Sequence, residues 1–170
     1  MVEAVIWDFG GVLTTSPFEA FDQLFATESL ALGAEVRGRE VLPLLSGDLR
    51  PEMVDALKRI KQNFKTGCIT NNLPANAIGS ASGRSLYIAE VMVLFDHVIE
   101  SAKIGLRKPD PRIYKMMVET LKVDPRKCVY LDDLGVNLKP AREMGMMTIK
   151  VLNAAQALGE LEAATGLALR

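Results

Sequence analysis

The sequence predicts an α/β protein built on a doubly wound parallel sheet. Two observations carry this reading. Five short apolar runs rich in β-branched residues recur along the chain, and stretches of helical periodicity separate most of them. The runs are almost continuously apolar, as suits strands covered by helices on both faces.

The runs are AVIW at 4–7, GCIT at 67–70, HVIE at 97–100, CVYL at 128–131 and MTIKV at 147–151. The first helical pattern, 51–64, opens on Pro51, a residue tolerated in a first turn, and places Met53, Leu57 and Ile60 on one face. The next has Asp110 as N-cap and Pro111 as first helical residue. Ile113, Met116, Met117, Thr120 and Leu121 then keep the i, i+3, i+4, i+7, i+8 spacing of a buried stripe. GVNLKPAREMG forms a further helix closing at Gly145, and a last helix follows Asn153. Two stretches break the alternation. Residues 17–49 read as a helical or irregular insertion after the first strand, and residues 73–84 as a mobile Gly-containing loop.

The chain has 170 residues, which favours one domain over 1–170. Hydrophobic residues make up 49%, enough for a full core. Lys plus Arg number 20 against 21 Asp plus Glu, so no global positive charge is on offer to a nucleic acid or an anionic membrane. A single histidine, His97, excludes multi-histidine metal sites. Cys68 and Cys128 lack CxxC spacing and read as buried small hydrophobes, as expected of a reducing compartment. Glu3 and Asp8 interrupt the N-terminal apolar stretch, and no run is long enough to span a bilayer, so a cytoplasmic protein is expected. The composition permits a homo-oligomer without locating an interface.

In a doubly wound sheet, ligands bind beyond the carboxyl ends of the strands. Asp8, Gly10 and Gly11 follow the first run, and Thr70, Asn71 and Asn72 end or follow the second. Lys108 precedes the 110–122 helix, and Asp132, Asp133 and Asn137 follow the fourth run. Three carboxylates gathered there repel, each pair by about 4 kcal/mol at 4 Å and an effective dielectric near 20. A cation relieves that repulsion, and oxygen-only ligands suit Mg²⁺. With Mg²⁺ and the Lys108 ammonium present the charges balance, and a phosphate can enter. Asp8 can then attack phosphorus. The glycines let backbone N–H groups approach phosphoryl oxygens, and Thr70, Asn71 and Lys108 offer further donors. Each residue alone has a plainer reading. A single Asp after a strand is a turn former, a lone Lys is a solvated charge, His97 is structural, and Tyr114, Met116 and Met117 are core. The joint occurrence, in order at successive strand ends, is what favours chemistry.

These motifs, with KPDPRIY and YLDDLGVNLKPAREMGMMTIKV, resemble the haloacid dehalogenase-like (HAD) superfamily. Within it they are most similar to the phosphatase domains found ahead of soluble epoxide hydrolases and of some acyl-CoA dehydrogenases. The resemblance implies a Rossmann-like sheet and a Mg²⁺-dependent phosphatase acting on a small phosphorylated metabolite. It implies Asp8 as nucleophile and metal ligand, and Thr70 and Lys108 as phosphoryl-binding catalytic residues. Asp132, Asp133 and the Gly10 carbonyl would hold Mg²⁺ directly or through water, with Asp133 the direct ligand of the aspartate pair, and Asn137 would support the site. Two departures stand out. Members of the family usually carry a second Asp, the general acid, where this chain has Gly10, so turnover is expected to be weak. The cap between the first two motifs is reduced to residues 17–49. The alternative reading is a degenerate member that binds phosphate or a partner without useful turnover. A dehalogenase needs no metal and is disfavoured by the Asp132–Asp133 pair.

Overall fold

The computed structural model describes residues 1–16, 47–71 and 83–170, with side chains from residue 88 onward in the helix that begins at Gly83. Among these residues the chain forms β1 (Ala4–Trp7), α1 (Pro51–Lys61), β2 (Lys65–Thr70), α2 (Gly83–Met92), β3 (His97–Glu100) and the short α3 (Ser101–Ile104). It continues through α4 (Pro111–Leu121), a 3₁₀ turn (Pro125–Lys127), β4 (Cys128–Asp132), α5 (Gly135–Glu143), β5 (Met147–Lys150) and α6 (Ala154–Thr165). No helix among the described residues is long and apolar enough to cross a membrane.

The five strands make one sheet in the order β3-β2-β1-β4-β5, and every pairing is parallel. Successive side chains of a strand point to opposite faces. Val5 and Trp7 therefore pack into one cluster with Val54, Leu57, Ile60, Leu158 and Leu161 of α1 and α6. Ala4 and Ile6 pack into a second cluster with Ile113, Tyr114, Met117 and Leu138 of α4 and α5. Two cores, one on each face, are the signature of a doubly wound sheet. The chain runs outward from β1 through β2 to β3, then crosses back to place β4 on the other side of β1. That reversal opens a crevice between the ends of β1 and β4, where open α/β sheets bind ligands.

Local chemistry explains the helix limits. Asp110 accepts the Arg112 amide at 2.9 Å to cap α4, and Pro111 fills the first turn. Asn153 caps α6 in the same way through the Gln156 amide at 2.9 Å. Gly145, at φ +93°, ends the turn after α5, as its placement in the sequence predicts.

Three expectations need correction. β3 and β5 are edge strands and only half-buried: Met147 and Lys150 of β5 are exposed, because a sheet of five strands leaves its outer two with one neighbour. Gly83 and Arg84, expected within the mobile loop, begin α2, and α2 and α3 were not signalled by periodicity. α3 is too short to show any. The rest of that loop, 72–82, lies outside the described residues, as does the insertion at 17–46 with Phe18, Phe21, Leu24 and Phe25. The insertion's two ends are described, and they meet. Thr14 bridges Leu49, the Thr15 amide donates to the Asp48 carbonyl at 2.8 Å, and the Asp48 amide donates to Thr15 Oγ1 at 2.9 Å. A Cβ on Gly47 would overlap the Thr15 carbonyl, so the neck closes only on glycine. Residues 47–49 thus belong to this neck.

Candidate active site

Lys108 is the centre of the crevice. Its Nζ lies 2.8 Å from Asp8 Oδ1 and 2.8 Å from Asp132 Oδ2, and the residue is only 2% exposed. Burial alone would lower its pKa, but Asp8 and Asp132 outweigh that and hold it above the usual lysine value. The position is set by its backbone. The Lys108 amide donates to Asn71 Oδ1 at 2.8 Å, and Asn71 Nδ2 donates to the Lys108 carbonyl at 2.9 Å. This reciprocal clasp ties the segment before α4 to the end of β2. Asn71, expected as a phosphate donor, spends its carbonyl and one amide hydrogen on Lys108, which leaves its second amide hydrogen for that role. Asn72 lies outside the described residues.

Asp8 follows β1 directly, its amide bonded to the Leu131 carbonyl of β4 at 2.8 Å. Its Oδ1 also accepts the Phe9 amide at 2.7 Å. Burial, reinforced by Asp132 and opposed by Lys108, pushes the Asp8 carboxyl up to about 7. Between about pH 4 and 7 the Asp8 carboxyl therefore keeps its proton more readily than an ordinary aspartate does.

Asp132 is fully buried. Its Oδ2 accepts Lys108 Nζ at 2.8 Å and the Tyr130 hydroxyl at 2.5 Å. Its Oδ1 accepts the Leu134 amide at 2.9 Å, and Asn137 Nδ2 reaches both oxygens at 3.0 and 3.1 Å. A carboxylate has about four acceptor positions, and four donor groups occupy them. Asp132 thus anchors Lys108. Asn137, expected to support the site, holds both oxygens of Asp132. Tyr130 was not singled out from sequence, although a signal existed: it stands two residues before Asp132 on β4 and so shares its face. Tyr114, expected as core, is core, and its hydroxyl also donates to the Asn137 carbonyl at 2.7 Å.

Asp133 completes the acidic group. One oxygen each from Asp8, Asp132 and Asp133 lie within 4.8 Å of one another. Three acidic side chains gather around one ammonium, and an all-oxygen donor set suits a hard divalent cation. The residues therefore fit Mg²⁺. The two glycines after Asp8 differ sharply. Gly11 has φ +75°, and a Cβ there would fall inside the Asp133 carboxylate. Gly11 thus lets Asp133 approach the end of β1. A Cβ on Gly10 would have no atom within 4 Å. Thr70 ends β2, buried, and its hydroxyl makes no hydrogen bond to another described residue. Cys68 and Cys128 are buried, and burial raises both thiols, that of Cys128 to about 12.

The chain is similar to known proteins. A family model described as haloacid dehalogenase-like hydrolase matches residues 21–145, a range that begins after Asp8. Bifunctional epoxide hydrolase 2 of Sus scrofa is 44% identical over 119 residues, covering 70% of this chain and 21% of that protein, so the chain spans about a fifth of that relative's length. A phosphatase of Mycobacterium tuberculosis is 34% identical over 139 residues, covering 78% of this chain and 60% of that protein. A HAD family enzyme of Bacteroides thetaiotaomicron, solved with magnesium and inorganic phosphate, has the same fold with a TM-score of 0.65 at 17% identity, over 95% of this chain and 99% of that one.

Two outcomes follow from the geometry. Gly11→Ala should displace Asp133 and weaken Mg²⁺ binding about tenfold or more in calorimetry, the cost of roughly 1.4 kcal/mol of lost coordination, while the protein stays folded. The raised Asp8 carboxyl binds its proton more tightly folded than unfolded, so its contribution to stability is full below about pH 4 and is lost as pH rises through about 7. A bound cation would replace that proton. The rise in Tm on adding Mg²⁺ should therefore be small near pH 6 and grow to a plateau by about pH 8.

Proposed function

The chain belongs to the haloacid dehalogenase-like hydrolase family, and on that premise we propose that it is a Mg²⁺-dependent phosphatase acting on a small phosphorylated metabolite through Asp8. The observation that carries the reading is the Lys108 ammonium held between Asp8 and Asp132 with Asp133 alongside. A phosphatase among the relatives and a magnesium-phosphate complex among the structural neighbours support it.

Asp8 and Asp133, with the Gly10 carbonyl, would hold Mg²⁺, and Asp132 would add its charge from behind Lys108. When bound, the ion supplies positive charge for the phosphoryl oxygens. Lys108 offsets the charge of Asp8 and gives the incoming phosphate a donor, and the Thr70 hydroxyl gives it another. The Asp8 carboxylate oxygen attacks phosphorus, and the bond from phosphorus to the leaving oxygen breaks with its electron pair. A water molecule then attacks phosphorus, the bond to Asp8 breaks, and the carboxylate and inorganic phosphate are released. In the first step the leaving oxygen needs a proton and in the second the water must lose one. Gly10 offers no side chain for either transfer, so turnover is weak. The same glycine favours the second reading, a phosphate-binding protein without useful turnover.

Hydrolysis of p-nitrophenyl phosphate, whose leaving group needs little protonation, separates the two. Phosphatase action predicts turnover that disappears in EDTA and in Asp8→Asn. A folded, Mg²⁺-binding protein without turnover selects the second reading. The open space at Gly10 admits a side chain, so Gly10→Asp should recover part of the about 10²–10⁴-fold that general acid–base catalysis supplies. The gain should be greater on alkyl phosphates than on p-nitrophenyl phosphate. An equal gain on both would mean that Gly10→Asp acts by something other than proton transfer.

A further inference from the structure

Two buried carboxylates compete for one ammonium in this site. Lys108 Nζ is equally close to both, at 2.8 Å from Asp8 and 2.8 Å from Asp132. Asp132 is the more deeply buried of the two and is tied to its own strand. An unsolvated carboxylate with vacant lone pairs would draw the ammonium onto itself and away from Asp8. Asp132 Oδ2 is filled further by the Tyr130 hydroxyl at 2.5 Å, its shortest contact, with Asn137 Nδ2 beside it at 3.1 Å.

We propose that Tyr130 is a positioning residue, whose hydroxyl fixes and saturates Asp132 so that the Lys108 ammonium stays shared with Asp8. Three observations carry it. Tyr130 is fully buried and its hydroxyl touches the same carboxylate oxygen that holds Lys108. It stands on β4, whose register with β1 pairs Tyr130 with Ile6 and so places the two strand ends side by side. Its ring is held at an interplanar angle of 89° to Tyr114, 5.4 Å between centroids, so the hydroxyl has one fixed direction. The hydroxyl is not needed to fill space there, because a phenylalanine keeps the ring and its packing.

The kinetic part of the test rests on the phosphatase reading, whereas the spectroscopic part does not. In protein carrying ¹⁵N-labelled lysine, a buried paired ammonium gives a slowly exchanging signal, assigned to Lys108 by its loss in Lys108→Arg. Tyr130→Phe should shift or broaden that signal, whereas Tyr114→Phe, which removes a hydroxyl bonded to the Asn137 carbonyl, should leave it in place. With p-nitrophenyl phosphate, Tyr130→Phe should lower kcat about tenfold with KM within about twofold, as expected when an interaction is lost in the transition state alone. An unchanged Lys108 signal in Tyr130→Phe, an equal shift in both tyrosine variants, or no such signal in the wild type overturns the proposal. A shifted signal with no turnover in any protein keeps it and removes the phosphatase reading. Should Tyr130→Phe not fold, wild-type protein labelled at tyrosine Cζ decides. The Tyr130 hydroxyl proton must then appear as a protected signal with an Overhauser contact to the Lys108 ammonium, and its absence overturns the proposal.

Discussion

A buried ammonium shared by two carboxylates is the constraint on which the site depends. Taking Lys108, Asp8 and Asp132 out of water is costly, and the cost is met only when geometry is good and the remaining polar atoms are satisfied. Here they are. Asn71 holds the Lys108 backbone, and Asn137, Tyr130 and the Leu134 amide fill Asp132. The partners come from the ends of β1, β2 and β4 and from the segment before α4. Only the assembled sheet brings them together. Folding and site formation are therefore one event, and a chain that misplaces any of these strand ends leaves an unpaired charge in its core.

The topology makes this assembly cheap. Because β1 is central and its neighbours leave in opposite directions, the crevice at its end is lined by backbone that has no further strand to pair with. Asp8 enters that crevice as the first residue past β1, and Asp132 ends β4 beside it. The neck formed by Thr14, Thr15, Asp48 and Leu49 follows the same end of β1 in the chain.

Within the acidic cluster the three aspartates have different environments and hence different uses. Asp132 is saturated by protein donors and serves as an anchor. Asp8 takes both Lys108 and the Phe9 amide on Oδ1 and carries the raised carboxyl. Asp133 reaches the cluster across a glycine that no other residue can replace without a clash. The contrast between Gly11 and Gly10 is instructive. One glycine is demanded by the approach of a carboxylate, the other sits in open space and marks a side chain that this chain does without.

Much of this was legible in the sequence. The short β-branched runs named all five strands to within a residue or two, and the cap signals at Asp110 and Asn153 placed two helix starts. Both are local properties of backbone and side chain. The strand-end rule then directed attention to Asp8, Thr70, Lys108, Asp132 and Asp133, because ligand position in a doubly wound sheet follows from topology. What the sequence left open were pairings between segments far apart in the chain. Asn71 and Lys108 are 37 positions apart, and nothing local says that one clasps the other. The half-exposed character of β3 and β5 depends on strand order, which apolar runs do not encode. The division of labour between Asp132 and Asp133, adjacent and chemically identical, was decided by where the strand ends: Asp132 closes β4 on the face of Tyr130, whereas Asp133 lies past the strand, against Gly11.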